Sequence, residues 1–181
     1  MTDKNILDPE INLIQDEKKQ RIVKTLIGKL PDYFFEIPAS STGKYHPKYA
    51  QGEGGLIKHT KAVVKIAENL LELEMFSGLS KMKDDIIAAL ILHDGLKHGY
   101  EGGKYGVSEH PNLMANFIIN ELQGSDFAYT LAELIETHMG QWNTDYKTKE
   151  VILKKPSSKP QAFVHLCDYI ASRRFIEVEL S

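Results

Sequence analysis

The chain has 181 residues and a net charge of -3, from 22 Lys+Arg against 25 Asp+Glu. That length suits one domain with its own core, and the mild acidity excludes a global electrostatic case for wrapping duplex nucleic acid. A single cysteine, Cys167, excludes an intramolecular disulfide and agrees with a reducing compartment. The polar start MTDKNILDPE and the lack of any apolar run near ~20 residues predict a soluble cytoplasmic protein with no signal peptide and no membrane span.

Residues 1–9 read as a flexible tail ending at Pro9, and residues 10–181 as one domain. From Glu10 to Leu30 the positions Ile11, Ile14, Ile22, Leu26 and Leu30 follow helical spacing among charges, and Pro31 ends the pattern. Residues 31–55 carry Pro31, Pro38, Pro47 and four glycines between Gly43 and Gly55, which predicts a long loop, functional or disordered. A helix resumes over Leu56–Met75, with His59, Val63, Ile66 and Leu70 on one stripe.

After Ser77-Gly78 the run Ile86–Leu92 is apolar on every face, so the helix Lys81–Gly95 reads as buried all round. It ends in His93-Asp94 and the glycine-rich loop GLKHGYEGGKYG. Ser108 reads as the N-cap of the next helix, with Pro111 in its first turn and His110, Met114, Phe117 and Glu121 on one stripe. Ser125 caps another, with Phe127, Leu131, Leu134 and His138 aligned, and Gly140 stops it. Residues 140–158 are polar apart from Trp142, and Ser158 and Pro160 open a last helix bearing Val164, Asp168, Ala171 and Phe175. No strand alternation and no repeat stand out, so the expected fold is an all-α, single-domain bundle of about six helices.

Five helices thus place a potential metal ligand on or beside an apolar stripe: His59, His93 with Asp94, His110, His138 and Asp168. A lone histidine on such a stripe is commonly a hydrogen-bonded core residue. Six imidazoles and carboxylates aimed inward would each need a separate partner unless they share a metal centre, as facing helices of bundles build. Without thiolate, the ligand types suit Mn, Fe, Co, Ni or Zn, with Mg at the more oxygen-rich position. Six are too many for one catalytic ion with an open position and suit two divalent metal ions bridged by Asp94.

A His, then a His-Asp doublet, then a distal Asp resembles the signature of the HD-domain superfamily of metal-dependent phosphohydrolases, and His110 and His138 resemble the additions of its dinuclear branch. The similarity spans about residues 38–174. PASSTGKYHPKYAQGEGGLIKHT, LHDGLKHG, SEHPNLMANF, THMGQWN and HLCDYIASRR look like a group of single-domain HD proteins, and GGLIKHT and THMG are similar to segments of HD-type 3'-5' exoribonucleases. The resemblance implies an HD-like bundle in which His59, His93, Asp94 and Asp168 are core ligands, His110 and His138 complete the second metal, and a water activated by the two metals attacks a phosphate ester. HDGLK matches HD-x-x-Lys, which implies that Lys97 contacts the phosphate and acts with Asp94 in catalysis. Gly-Leu follows the doublet where dinuclear relatives often have Ile-Gly, and no GYP follows, so cyclic-di-GMP hydrolysis of the HD-GYP kind is not supported.

Around this set, His46 and Lys44 are expected at the pocket mouth, and His98 as an acid to the leaving group, each with a surface position as the alternative. Arg173 and Arg174 follow Asp168 by five and six residues, for a phosphate fork or a salt bridge with acidic residues of the last helix. Trp142 suits stacking on a base or anchoring its loop, and His165 and Cys167 read as packing. The expected substrate is a phosphorylated small molecule, a nucleotide or a short single-stranded nucleic acid, cut as a phosphodiesterase, nuclease or nucleotidase, with homo-oligomerisation left open. Two rival readings are an HD-type di-iron oxygenase and a non-catalytic nucleotide-binding module.

Overall fold

A computed structural model describes residues 3–41, 43 and 46–175. Residues 1 and 2 of the expected tail, and Lys44, lie outside the described residues. The chain forms an all-α bundle of α1 (Asp8–Ile11), α2 (Glu17–Gly28), α3 (Gly55–Leu71), α4 (Lys83–Leu92), α5 (His110–Glu121), α6 (Asp126–Ile135) and α7 (Lys159–Ala171). Three 3₁₀ segments, Asp32–Phe35, Lys48–Ala50 and Glu74–Met82, join them. Among the described residues there is no strand, only one isolated bridge between Thr144 and Val151. No helix is long and apolar enough to cross a membrane among those residues.

The lone helix expected over Glu10–Leu30 is two helices, because Asp16 caps α2. Its carboxylate accepts from the backbone N–H groups of Lys18 at 2.8 Å and Lys19 at 3.1 Å, which ends α1 early. The Asp84 carboxylate accepts from Gln15 N and Asp16 N at 3.0 and 2.9 Å and ties this break to the start of α4. The expected tail is corrected too: Leu7 is fully buried with Ile11 and Ile14, since an apolar side chain one turn ahead of α1 finds the core.

α4 is the axis. Ile86 through Leu92 are buried without exception, as an all-apolar helix requires, against α1, α2, α3, α6 and α7. At about 1.5–3 kcal/mol for each buried Ile or Leu, this helix holds its neighbours and fixes where its C-terminus points. Gly95, directly after the doublet, is closely packed: a Cβ there would come within 2.9 Å of Met114 Sδ and 3.0 Å of Leu30 Cδ2, and those side-chain ends would have to shift. α6 is capped by Ser125, whose hydroxyl accepts from Ala128 N, and α7 opens with a capping box between Ser158 and Gln161. α5 departs from expectation: the residue before it, Glu109, makes no side-chain cap, and Ser108 instead bonds the Asp145 carboxylate. α7 ends at Ala171, so Phe175 leaves the stripe and stands 82% exposed.

Candidate metal centre

Five elements meet at one point. His59 comes one turn into α3, His93 and Asp94 directly after α4, His110 at the first position of α5, His138 just after α6, and Asp168 from the last turns of α7. Helix ends leave backbone carbonyls without intrahelical partners, and histidines placed there can use them. His93 Nδ1–H donates to Leu90 O at 2.7 Å and His138 Nδ1–H to Ile135 O at 2.8 Å, while His110 Nδ1–H donates to Val107 O at 2.8 Å. A carbonyl only accepts, so each Nδ1 carries a proton and each Nε2, in the neutral imidazole, faces the centre as a lone pair.

Asp94 sits between them, with Oδ1 3.0 Å from His110 Nε2 and 3.7 Å from His138 Nε2, and Oδ2 3.5 Å from His93 Nε2 and 3.9 Å from His59 Nε2. His59 Nε2–H donates to Asp168 Oδ1 at 3.0 Å, and that oxygen is 3.7 Å from His93 Nε2. Ligand atoms of His59, His93 and Asp94, and of Asp94, His110 and His138, form two groups each lying within 4.8 Å, and His93, His138 and Asp168 form a third. The first two overlap at Asp94, which suits a dinuclear centre.

The donor set can be tested against a metal on its own polar atoms. His93 Nε2 and Asp94 Oδ1 are buried without a properly angled hydrogen bond among the described residues. His110 Nε2 and His138 Nε2 lie 3.2 Å apart, and two imidazole lone pairs that close repel unless a proton or a cation lies between them. Divalent ions held by His59, His93, Asp94, His110, His138 and Asp168 would satisfy all of these atoms.

The electrostatics agree. Burial would raise the Asp94 carboxyl, but Lys97, His93 and His110 outweigh it and hold it well below the usual carboxylate range. Asp168 is held low likewise, its burial overcome by His59 and His93. Burial lowers His59 despite its bond to Asp168, and pushes His138 down to about 3 with help from the nearby His93 and His110. His93 goes the other way, because the charges of Asp94 and Asp168 exceed its burial cost.

The neighbouring positions sort themselves. Lys97 Nζ donates to Asp94 Oδ2. The His46 ring lies edge-on to His59, centroids 5.0 Å apart, with an unpartnered buried Nδ1, and burial followed by His59 and Lys97 lowers it to about 3. His98 does not join the cluster: its Nδ1–H donates to Gly103 O at 2.6 Å and its ring stacks on Tyr33, so it holds the base of the glycine-rich loop. The glycines let that loop fold back within bonding reach of His98. The expected salt bridge of Arg173 is not made, since no carboxylate meets it among the described residues, and its guanidinium lies over Tyr169 at 4.3 Å and Trp142 at 5.6 Å. Trp142 itself is 45% exposed and stacks on Tyr169.

Two residues escaped the sequence reading. His165, expected to pack, donates from Nδ1 to His138 O at 2.6 Å and so holds the backbone of a ligand. Gly140 permits this with a left-handed φ of +58°, since any Cβ there would fall 2.2 Å from the His165 ring. Tyr169 was not singled out at all. His165 and Tyr169 lie one turn apart on α7, and Arg173 follows four residues later, just past the helix end, which is the spacing that exposes both.

Buried His/His/Asp clusters in an all-α bundle suit a metal-dependent catalytic site and are consistent with a phosphohydrolase. The chain is 30% identical over 144 residues to the dihydroneopterin 2',3'-cyclic phosphate phosphodiesterase of Methanocaldococcus jannaschii, a match covering 76% of this chain and 52% of that relative. The chain therefore spans about half the length of the curated relative it matches. No family model matches the chain, and no solved structure matches it significantly.

Proposed function

We propose that the chain is an HD-type, dinuclear phosphohydrolase that cleaves a phosphate ester, foremost a phosphodiester, of a nucleotide or nucleotide-like molecule. The observation that carries this reading is the pair of ligand groups sharing Asp94, with Lys97 on the shared carboxylate. The order His59, His93-Asp94, Asp168 and the HDGLK segment support the HD assignment, and the relative's name supports a diester, including a 2',3'-cyclic one. When bound, two divalent ions would supply charge neutralisation on a phosphate oxygen and a water that deprotonates near neutral pH.

The chain's own residues do the rest. His93, His110 and His138 keep their Nε2 lone pairs aimed inward at no cost in reorientation, because Nδ1 is already spent. Lys97 keeps a fixed cation at the solvent-facing edge, where it meets a phosphate oxygen in water-poor surroundings. His46 offers its unpartnered Nδ1 beside His59 to the same group. α4 and its apolar neighbours keep bulk water from the far side.

The test is hydrolysis of bis(p-nitrophenyl) phosphate, p-nitrophenyl phosphate and adenosine 2',3'-cyclic phosphate by purified protein supplied with Mn²⁺, with Asp94→Ala as control. Diester cleavage that disappears in the control is the expected result. Cleavage of the monoester alone redirects the reading to a nucleotidase. Two bound metals with no ester cleaved overturns it in favour of the di-iron oxygenase, for which oxygen uptake by iron-loaded protein is the next measurement.

A further inference from the structure

Beside the ligand cluster lies a group of side chains that neither the fold nor metal binding requires. Trp142 stacks on Tyr169 with ring centroids 5.7 Å apart and planes 16° from parallel. The Arg173 guanidinium spans both rings, and its Nη2 and Nε donate to Ser172 Oγ at 2.8 and 3.3 Å. Both rings stand close in sequence to ligands: Trp142 follows His138 by four residues, and Tyr169 directly follows Asp168 on α7. His165, between the two in space, bonds the His138 backbone and lies 6.2 Å from each ring centroid.

Anchoring the loop does not account for Trp142. The segment is fixed without it: Asn143 Nδ2 donates to Leu153 O at 3.2 Å, Ile152 N and Leu153 N donate to Asn143 O at 2.9 and 3.1 Å, and Asn112 Nδ2 donates to Ile152 O at 3.3 Å. Gln141 meets His165 Nε2 at 3.1 Å on the other side. One face of the indole lies against Tyr169, yet 45% of the residue stays open to solvent. An anchoring tryptophan would be buried to gain its transfer energy. Arg173, with no carboxylate partner among the described residues, keeps its positive charge over the rings, which makes the stack attractive to an anionic, planar ligand.

We infer that Trp142, Tyr169 and Arg173 form a stacking platform that receives a bicyclic nitrogen heterocycle of purine size while the ligand's phosphate lies at the Lys97 and Asp168 edge of the cluster. The indole sets the size, because a bicyclic ring covers it and a ring-less phosphate gains nothing from it. This rests on the phosphohydrolase reading for the phosphate end, but ring binding is measurable without turnover.

Trp142 is the chain's only tryptophan, so its fluorescence reports the platform alone. Protein supplied with Mg²⁺ is titrated with adenosine 5'-monophosphate and, separately, with ribose 5-phosphate. Saturable quenching by the nucleotide and none by the sugar phosphate is expected. By calorimetry, Trp142→Leu and Tyr169→Leu weaken the nucleotide about 5- to 150-fold, the span that base–aromatic stacking gives on losing the ring, while Trp142→Phe restores most of it. The sugar phosphate binds both leucine variants as it binds the parent, which also shows that they fold. Nucleotide binding without quenching, with unchanged affinity in Trp142→Leu, or absent altogether, overturns the platform. None of those outcomes touches the ester-cleavage test, so the two readings fail separately.

Discussion

The two sides of the cluster are built differently. On the Asp94, His110 and His138 side every imidazole is locked through Nδ1 to a backbone carbonyl, and all three side chains are almost completely enclosed. On the His59 and Asp168 side, His59 Nδ1 has no partner among the described residues, and Asp168 and Lys97 are 17% and 18% exposed at their side chains. A closed, pre-oriented half suits an ion that stays, and an open half suits exchange with solvent and ligand. Asp94 belongs to both.

Changes that ignore the distinction have the largest effect. Asp94→Ala removes the shared ligand, so metal analysis should find at least one equivalent lost and ester cleavage should fall to background. Two equivalents and parental rates in that variant would break the comparison at its root. Lys97→Ala, which touches only the open edge, should keep both equivalents and lose about 10²-fold or more in rate, as for one fixed charge taken from a transition state.

The halves themselves separate under chelation. The closed half should hold its ion about tenfold more tightly, since orienting hydrogen bonds behind a ligand are worth 10- to 100-fold in affinity. Metal release followed against time should therefore show two phases, with His138→Ala removing the slow one and His59→Ala the fast one. A single phase in all three proteins would erase the difference.

A smaller effect concerns pH in metal-free protein. His46, His59, His98 and His138 titrate below their ordinary value in the folded state because burial opposes their charge. As pH falls through about 6.5 the unfolded chain binds protons that these folded histidines refuse, so their contribution to stability is present above that pH and lost below it. His93, raised by Asp94 and Asp168 against its burial, acts in the opposite sense: it stabilises below pH 6.5 and loses that contribution as pH rises. The majority wins, and denaturant titrations should find the metal-free protein about 1–3 kcal/mol less stable at pH 5.5 than at 7.5. Asp94 and Asp168, held low, add to the loss only below about pH 4.

How much of this the chain announces follows from where the governing contacts lie. The inward stripes brought His59, His93, Asp94, His110, His138 and Asp168 to one centre, because burial periodicity is a local property that short windows contain. The split of the first helix, the burial of Leu7 and the loss of Phe175 from the last stripe turn on capping and on partners such as Asp84, 68 residues from Asp16. The ring contacts of Arg173 and the Gly103 bond of His98 lie outside what spacing announces, because Trp142 and Gly103 are brought there by how loops return, not by spacing along a helix.

The glycine-rich loop closes on itself. Val107 N donates to Lys97 O at 2.9 Å and Gly103 N to His98 O at 3.2 Å, so the chain leaves after Lys97 and comes back in register just ahead of His110. Its tip holds Tyr100 and Tyr105 in solvent, while the Tyr33 hydroxyl donates to Gly99 O at 2.6 Å and keeps the start of the loop against the body of the fold. Two backbone bonds therefore pin the cation and the imidazole from opposite ends of one closed loop, so a change at the tip reaches either residue only through that closure.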